Sequence, residues 1–478
     1  MLVEGINITG ITCDGEKVQP GYAFIAIKKE GLGEEEIIDY AIKQGAVLIF
    51  TKEIAMIDRK NTVPIKYIED PISLFWDLSN KLYDYPFEKL KIIGVAGKNG
   101  KTTTAKIISH IFEEQGSVSG YISTQEICIG KAKIEMNLMD FDANKLLEIL
   151  DHMIKMDVKI IIMEVEDPYM KEDLLCGVKF DTMVYANIGI EPMDKNMDYL
   201  EMQKSVLKYI PENGNIIINA DDPSSIVLLR DIKNRLIITY GLCSRATITA
   251  SSIETVPLIK FNCCIQRGMT PCNDMEIDPM EFTVVIHLLG RHNVYNTLAA
   301  IGVALMYGVL PEDIERSFEK FQGIKRRMHR IYADRYQIID DMSHDPSSYE
   351  AMFETIQSVD YENLYMVNAI IGNERMGLNK QNAEILCSWV KGIKSVNIIT
   401  TCSVDCVTKK DQVSEKEKKI FHQILTENEI SYIHKEKLKD ALKIALLYAE
   451  NKDLILLVGE YGMEQGEKFI KEFLEERN

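Results

Sequence analysis

Between Gly97 and Thr104 the chain reads Gly-Lys-Asn-Gly-Lys-Thr-Thr-Thr, residue types suited to holding a phosphate. Glycines at Gly97 and Gly100 let backbone N–H groups approach an anion, and a helix N-terminus adds positive potential. Lys101 has the reach to neutralise terminal phosphates, and the Thr102 hydroxyl suits Mg²⁺. Lys98, Asn99 and Thr103 complete the expected binding loop. The spacing departs from the common nucleotide-binding form. Val95 stands where that form has its first glycine, and the glycines present are Gly94, Gly97 and Gly100. An ordinary strand–turn–helix corner is the competing reading. The context argues against it, because Gly-Lys-Thr follows the apolar strand Ile92 to Ala96 and opens a helical pattern, Thr103 to Glu114.

Such a loop must be carried by a sheet. Val158 to Val165 is a nearly continuous apolar strand interrupted by acid at Glu164. Further strands are expected at Val118 to Ile122, Thr182 to Asn187 and Asn215 to Asn219. Helices are expected between them at Asp142 to Met156 and Met202 to Ile210. Apolar strands separated by helices imply a mostly parallel sheet covered on both faces. Ligands of such sheets lie beyond the carboxyl ends of the strands, which puts the loop, Glu164, Asn187 and Asp221 on one rim.

The flanks read as two more α/β units. Residues 1–89 pair strands at Gly21 to Ile27 and Ala46 to Phe50 with helices at Glu34 to Gly45 and Pro71 to Tyr83. Residues 90–328 form the central unit, ending with shorter strands between Thr247 and His287 and a helix from His292 to Met306. Residues 329–478 alternate again. Strands are expected at Tyr336 to Asp340, Tyr365 to Ile371, Val396 to Thr400 and Leu454 to Val458. Helices are expected at Pro346 to Gln357, Asn382 to Trp389, Lys437 to Ala449 and Gly466 to Glu475.

The chain has 478 residues, 46% hydrophobic and 27% charged, the balance of a soluble protein with several domains. Its net charge of -18 argues against nucleic acid or an anionic membrane as the main partner. No apolar run approaches the ~20 residues of a membrane span, and the N-terminus lacks a signal-peptide pattern, so a cytoplasmic protein is expected. Most of the ten cysteines stand singly in apolar segments, as buried small hydrophobes do. Cys263-Cys264 with Cys272, and Cys402 with Cys406, lack the spacing and accompanying histidines of a zinc site, and metal is not expected there.

With these pieces in order, the chain resembles the Mur ligases, ATP-dependent enzymes that add amino acids to peptidoglycan precursors. Among them it is most similar to the branch that adds the third residue of the stem peptide. The resemblance runs nearly full length. It rests on Gly97 to Thr104, Met163-Glu164-Val165, Asn187 followed by Asp194, Asn219-Ala220-Asp221-Asp222-Pro223, Gly290 to Asn296, Gly323 to Met328 and Asp341 to Pro346. It implies three α/β domains: a substrate domain, a central P-loop domain with a mostly parallel sheet, and a C-terminal Rossmann-like domain. It also implies that ATP and Mg²⁺ activate a carboxylate as an acyl phosphate, which an amine then attacks. Lys101 would stabilise the γ-phosphate, and Thr102 and Glu164 would hold Mg²⁺, directly or through water. Asn293 would orient adenine, while Arg327 and Asp341 would reach the nucleotide. Lys204 stands where the family has a carbamylated lysine supporting a second Mg²⁺. His344 is given no role.

The departures concern the substrates. The family's Ser-Ser-His after the strand-end acid is replaced by Glu166-Asp167-Pro168, and a metal-binding histidine by Glu191-Pro192. The Asp-Ser-Arg of the uridine contact reads Asp14-Gly15-Glu16. A threonine-rich segment becomes Asn137 to Asp142. The Asp-Asn-Pro-Arg that selects diaminopimelate is absent, the region reading Thr401 to Asp405. Gly-Lys-Gly-His-Glu survives only in part in Gly459 to Glu464. Added negative charge disfavours an anionic UDP substrate. The expectation is a Mur-type ligase joining a small-molecule carboxylate and amine, with cell-wall precursors among the candidates and a substrate diverged from the usual one. A non-catalytic ATP-binding paralogue with a regulatory role is the alternative. A phosphotransferase that stops at the acyl phosphate is a third reading.

Overall fold

The computed structural model describes residues 1–27, 33–53, 62–134, 143–166, 175, 177–188, 197–230, 232, 234–270 and 276–476. The architecture is the expected mixed α/β one, with sheets of two, four, eleven and six strands. By internal packing the chain divides into two compact units. One is Met1–Thr249 with Gln266–Asp278 and Leu298–Leu310; the other is Ala250–Ile265 with Pro279–Thr297 and Pro311–Asn478.

The first unit opens with four parallel strands in the order Gly10–Thr12, Tyr22–Ile25, Leu48–Thr51 and Ile65–Tyr67. Helix Pro71–Leu82 starts cleanly because Asp70 caps the Ser73 N–H at 3.1 Å and proline occupies the first turn. Its Phe75 and Trp76 join one core with Leu90, Ile92 and Phe180, so the first sheet and the following one share buried apolar surface.

That following sheet carries the candidate site. Eight of its eleven strands run in the order Ala132–Ile134, Ile127–Ile129, Ser119–Ile122, Ile160–Glu164, Lys91–Ala96, Thr182–Tyr185, Asn215–Asn219 and Leu236–Gly241. From Ser119–Ile122 to Leu236–Gly241 every pairing is parallel. Isoleucine-rich segments form these strands because both faces are buried. Helix Ala143–Lys155 covers the sheet with Leu146, Leu147, Leu150 and Met153, the recurrence of one helical face.

Two local expectations shift. Helix Lys101–Glu114 begins two residues before the predicted start, because Gly100 itself makes the turn. The helix expected from Met202 starts earlier, spanning Met197–Ser205, and tightens into a 3-10 turn at Val206–Tyr209.

In the second unit, strands Ile259–Ile265 and Met280–Ile286 pair antiparallel, as expected of that stretch. The C-terminal sheet has the order His329–Ala333, Gln337–Asp341, Leu454–Val458, Leu364–Ala369, Val396–Thr401 and Tyr432–Lys435. Only the first pairing is antiparallel. Helix Pro346–Ile356 starts from a reciprocal cap between Asp345 and Ser348. Helix Met376–Val390 is nearly twice as long as predicted. Its first turns hide polar groups inside: Asn379 is buried, donating to Ile371 O at 2.6 Å and accepting from Ile371 N at 3.1 Å. Helix Glu415–Glu427 and edge strand Tyr432–Lys435 are not anticipated from the sequence, since charge dominates the one and the other is half exposed.

Candidate active site

The carboxyl ends of strands Lys91–Ala96 and Ile160–Glu164 meet in register, with Val95 opposite Glu164. The loop leaves the first of these at Gly97, whose φ of +126° and tight surroundings exclude a side chain. A Cβ there would sit 2.7 Å from Asn187 O. Lys98 N donates to that same Asn187 O at 2.6 Å, which ties the loop to the end of strand Thr182–Tyr185. Gly100, at φ +86°, turns the chain into helix Lys101–Glu114 without a side-chain cap. The N–H groups of the first turn are therefore left for an anion.

Around this turn the predicted residues converge. Lys98 and Asn99 are exposed, Gly100, Lys101 and Thr102 half-buried, and Thr103 buried. Lys101 Nζ folds back onto Gly97 O at 2.9 Å and Lys98 O at 3.3 Å, so the ammonium already sits over the loop. Thr102 Oγ1 donates to Glu164 Oε2 at 2.9 Å. Glu164 is only 2% exposed, and burial foremost pushes its carboxyl above the usual range. A hydroxyl and a carboxylate oxygen so close together are hard donors of the kind Mg²⁺ prefers. With an uncapped helix start and an ammonium beside them, these residues fit a nucleotide phosphate with its cation.

One participant is not predicted from the sequence. Tyr121 donates its phenol proton to Glu164 Oε1, the oxygen Thr102 does not use. Lys106 Nζ lies 3.8 Å from the centre of the Tyr121 ring and also pairs with Glu126. The signal was obtainable only from pairing: Tyr121 stands opposite Ile162, two residues before Glu164 and on the same face.

Other expected residues have structural employment. Glu166 is held by Thr124, through N at 3.1 Å and Oγ1 at 2.7 Å. Asp221 accepts from Leu242 N at 2.6 Å and Cys243 N at 3.2 Å, while Asp222 accepts from Ile188 N at 2.7 Å and caps Ser224 N at 2.9 Å. These acids fix the rim's loops. Lys204 pairs with Glu201 at 2.9 Å.

Asn293, Arg327 and Asp341 lie in the second unit. Asn293 is buried, donating to Leu289 O at 2.8 Å and accepting from Asn296 Nδ2 at 2.8 Å. Asp341 accepts from Met328 N at 2.8 Å, Ser343 N at 2.9 Å and the Ser343 hydroxyl, pinning the loop that carries Arg327. Arg326, at φ +60°, donates to Glu460 O at 2.8 Å and to Gly459 O. The segments Asn137 to Asp142, Asp167-Pro168, Glu191-Pro192 and Asp194, with Cys272, fall outside the described residues. Among the described residues no helix is long and apolar enough to cross a membrane.

Comparison with known proteins matches residues 95–304 to the Mur ligase middle domain and residues 326–461 to the Mur ligase glutamate ligase domain. The UDP-N-acetylmuramoyl-L-alanyl-D-glutamate--2,6-diaminopimelate ligase of Oceanobacillus iheyensis is 30% identical over 398 residues, 81% of this chain and 78% of that relative. Its namesake in Listeria monocytogenes is 27% identical over 468 residues, 95% and 90% of the two chains. Among solved structures, a ligase of the same name superposes with a TM-score of 0.66 at 19% identity, covering 95% of this chain and 89% of that one. A MurF ligase of Thermotoga maritima, solved in complex with ADP, gives 0.60 at 15% identity over 100% of both chains. The fold likeness extends to folylpolyglutamate synthase of Thermotoga maritima, with a TM-score of 0.61 at 12% identity over 84% and 93%.

Proposed function

The chain belongs to the Mur ligase family of ATP-dependent amide-bond-forming ligases, and from that premise we propose that it joins a carboxylate to an amine through an acyl phosphate. We further propose that its acid substrate has diverged from the UDP-muramoyl dipeptide in its relatives' names. The observation that carries the catalytic part is the Thr102 Oγ1–Glu164 Oε2 contact of 2.9 Å beside the Lys101 ammonium. In this reading Lys101 leaves Gly97 O and Lys98 O to neutralise charge on the transferred phosphoryl group. Thr102 and Glu164 hold the cation, which when bound supplies charge neutralisation at the phosphate oxygens. Tyr121 holds Glu164 in place. Lys204 supports a second cation, and Asn293, Arg327 and Asp341 serve the nucleotide.

The diverged-substrate part rests on charge and on local structure. Asp14 caps the Glu16 N–H at 3.1 Å in a short turn, where the resemblance would lead one to expect a uridine contact with an arginine. An acid in place of that arginine repels a diphosphate.

The Glu166–Thr124 contacts favour keeping one second reading, an ATP-binding paralogue without turnover, because they occupy a carboxylate that would otherwise substitute in the second cation site. The test is ATP turnover with pools of candidate acids and amines, following phosphate release and amide mass together. Substrate-dependent phosphate with a matching amide supports the ligase. Tight ATP binding with no phosphate from any pool favours the paralogue, and phosphate without amide the truncated phosphotransfer.

A further inference from the structure

We propose that Cys402, His434 and Glu436 form a binding site for a zinc-type divalent metal at the carboxyl ends of strands Val396–Thr401 and Tyr432–Lys435. The parallel register builds it. Thr400 stands opposite His434 and Thr401 opposite Lys435, so Cys402 and Glu436 leave the sheet side by side. Val404 N bonds Glu436 O at 3.0 Å and holds the two chain ends at that level. Cys402 Sγ lies 3.9 Å from His434 Nε2, and His434 Nε2 lies 3.3 Å from Glu436 Oε1. The three ligand atoms all fall within 4.8 Å of one another. Bond lengths of about 2.0–2.3 Å in a tetrahedral zinc site place ligand atoms roughly 3.3–3.8 Å apart. The trio therefore closes on one ion with small side-chain movements.

The surroundings orient the imidazole for this task. His434 Nδ1 lies 3.0 Å from Thr400 Oγ1, and the same hydroxyl lies 2.9 Å from His422 Nε2. A hydroxyl has one proton, so it donates to one ring and accepts from the other. When His434 Nδ1–H donates to Thr400 and Thr400 donates to His422, the lone pair of His434 Nε2 faces Cys402 and Glu436. A ligand histidine held through its other nitrogen is the usual outer arrangement of a zinc site. His422 stacks on Tyr432 at 4.5 Å and meets His434 edge-on at 4.8 Å, which fixes both rings.

Thiolate, imidazole and carboxylate together suit zinc or cobalt and not magnesium. Metal binding would displace the Cys402 thiol proton to solvent. Three protein ligands leave a fourth position for water or another small ligand, on the side where Glu436 is 53% exposed. Lys418 competes for the carboxylate, its Nζ lying 2.9 Å from Glu436 Oε1, but it also has Glu415 at 2.7 Å and keeps that partner when the metal enters. The sequence hides this site because its ligands come from the ends of two strands far apart in the chain, whereas Cys402 and Cys406 alone suggest nothing.

The test is Co²⁺ titration of the full chain after chelator dialysis, read by the thiolate-to-cobalt charge-transfer band, with Zn²⁺ competing. Expected are saturation at one equivalent, loss of the band in Cys402→Ser, its retention in Cys406→Ser, and at least tenfold weaker binding in His434→Gln. Metal should raise the melting temperature of the wild type and not of His434→Gln, which covers the case of Cys402→Ser failing to fold. No saturable band in the wild type, or equal affinity in His434→Gln, overturns the site. Neither result touches the ligase proposal.

Discussion

The phenol of Tyr121 donates to the same Glu164 carboxylate that accepts from Thr102, so the buried acid is held at both oxygens. Tyr121→Phe leaves Glu164 Oε1 without this partner inside the protein, at a cost of about 1–3 kcal/mol. The variant should melt at lower temperature. If Glu164 holds the cation, the Mg²⁺ concentration for half-maximal turnover should also rise several-fold. A Mg²⁺ dependence identical to wild type would remove Glu164 from cation binding.

Lys101 rests on two carbonyls of a half-exposed loop, so its ammonium contributes little to stability. Lys101→Ala should keep the far-ultraviolet circular dichroism and melting temperature of the wild type. Its single-turnover phosphate release should fall by about 100-fold or more, the scale of losing a charge-stabilising donor. Unchanged release would take the loop out of the chemistry.

Asp340 titrates out of its normal range. Burial foremost, with help from Asp341, outweighs the Arg326 guanidinium 3.6 Å away and pushes its carboxyl up to about 7. A folded-state pKa above the unfolded one means that stability is fully present below the unfolded pKa of about 3.9 and is lost as pH rises through the folded value. Asp340→Asn removes this loss. Urea midpoints of the variant and wild type should be similar near pH 4 and diverge in the variant's favour up to about pH 7, then run parallel. Parallel curves throughout would mean that Asp340 titrates normally.

Legibility followed how local each signal was. The loop, its strand and Glu164 could be read because an apolar run interrupted by acid and a Gly-Lys-Thr turn are contiguous in sequence. The C-terminal alternation was readable where strands such as Leu454–Val458 are uniformly apolar. Tyr121 was not, because its role depends on standing opposite Ile162 in another strand. The sequence pattern predicts helix only from Asn382, although Met376–Val390 is helical, because the buried Asn379 looks like a solvent-facing position. Asp221 looked like a rim ligand, yet its carboxylate is taken by the backbone of Leu242 and Cys243, a demand that sequence does not display.

Gly97 and Gly116 separate a strained site from a strained backbone. Both have positive φ, +126° and +76°. A Cβ at Gly97 meets Asn187 O at 2.7 Å and Asn187 N at 2.9 Å, whereas one at Gly116 meets nothing within 4 Å. Each alanine substitution costs the left-handed penalty of about 1–2 kcal/mol. Only Gly97→Ala must also move the loop away from Asn187 and break the 2.6 Å bond from Lys98 N. Gly116→Ala should therefore lower the melting temperature and leave ATP affinity intact. Gly97→Ala should lower both, with ATP affinity by calorimetry falling at least tenfold. Equal ATP affinity in the two variants would mean that the loop's backbone conformation does not set nucleotide binding.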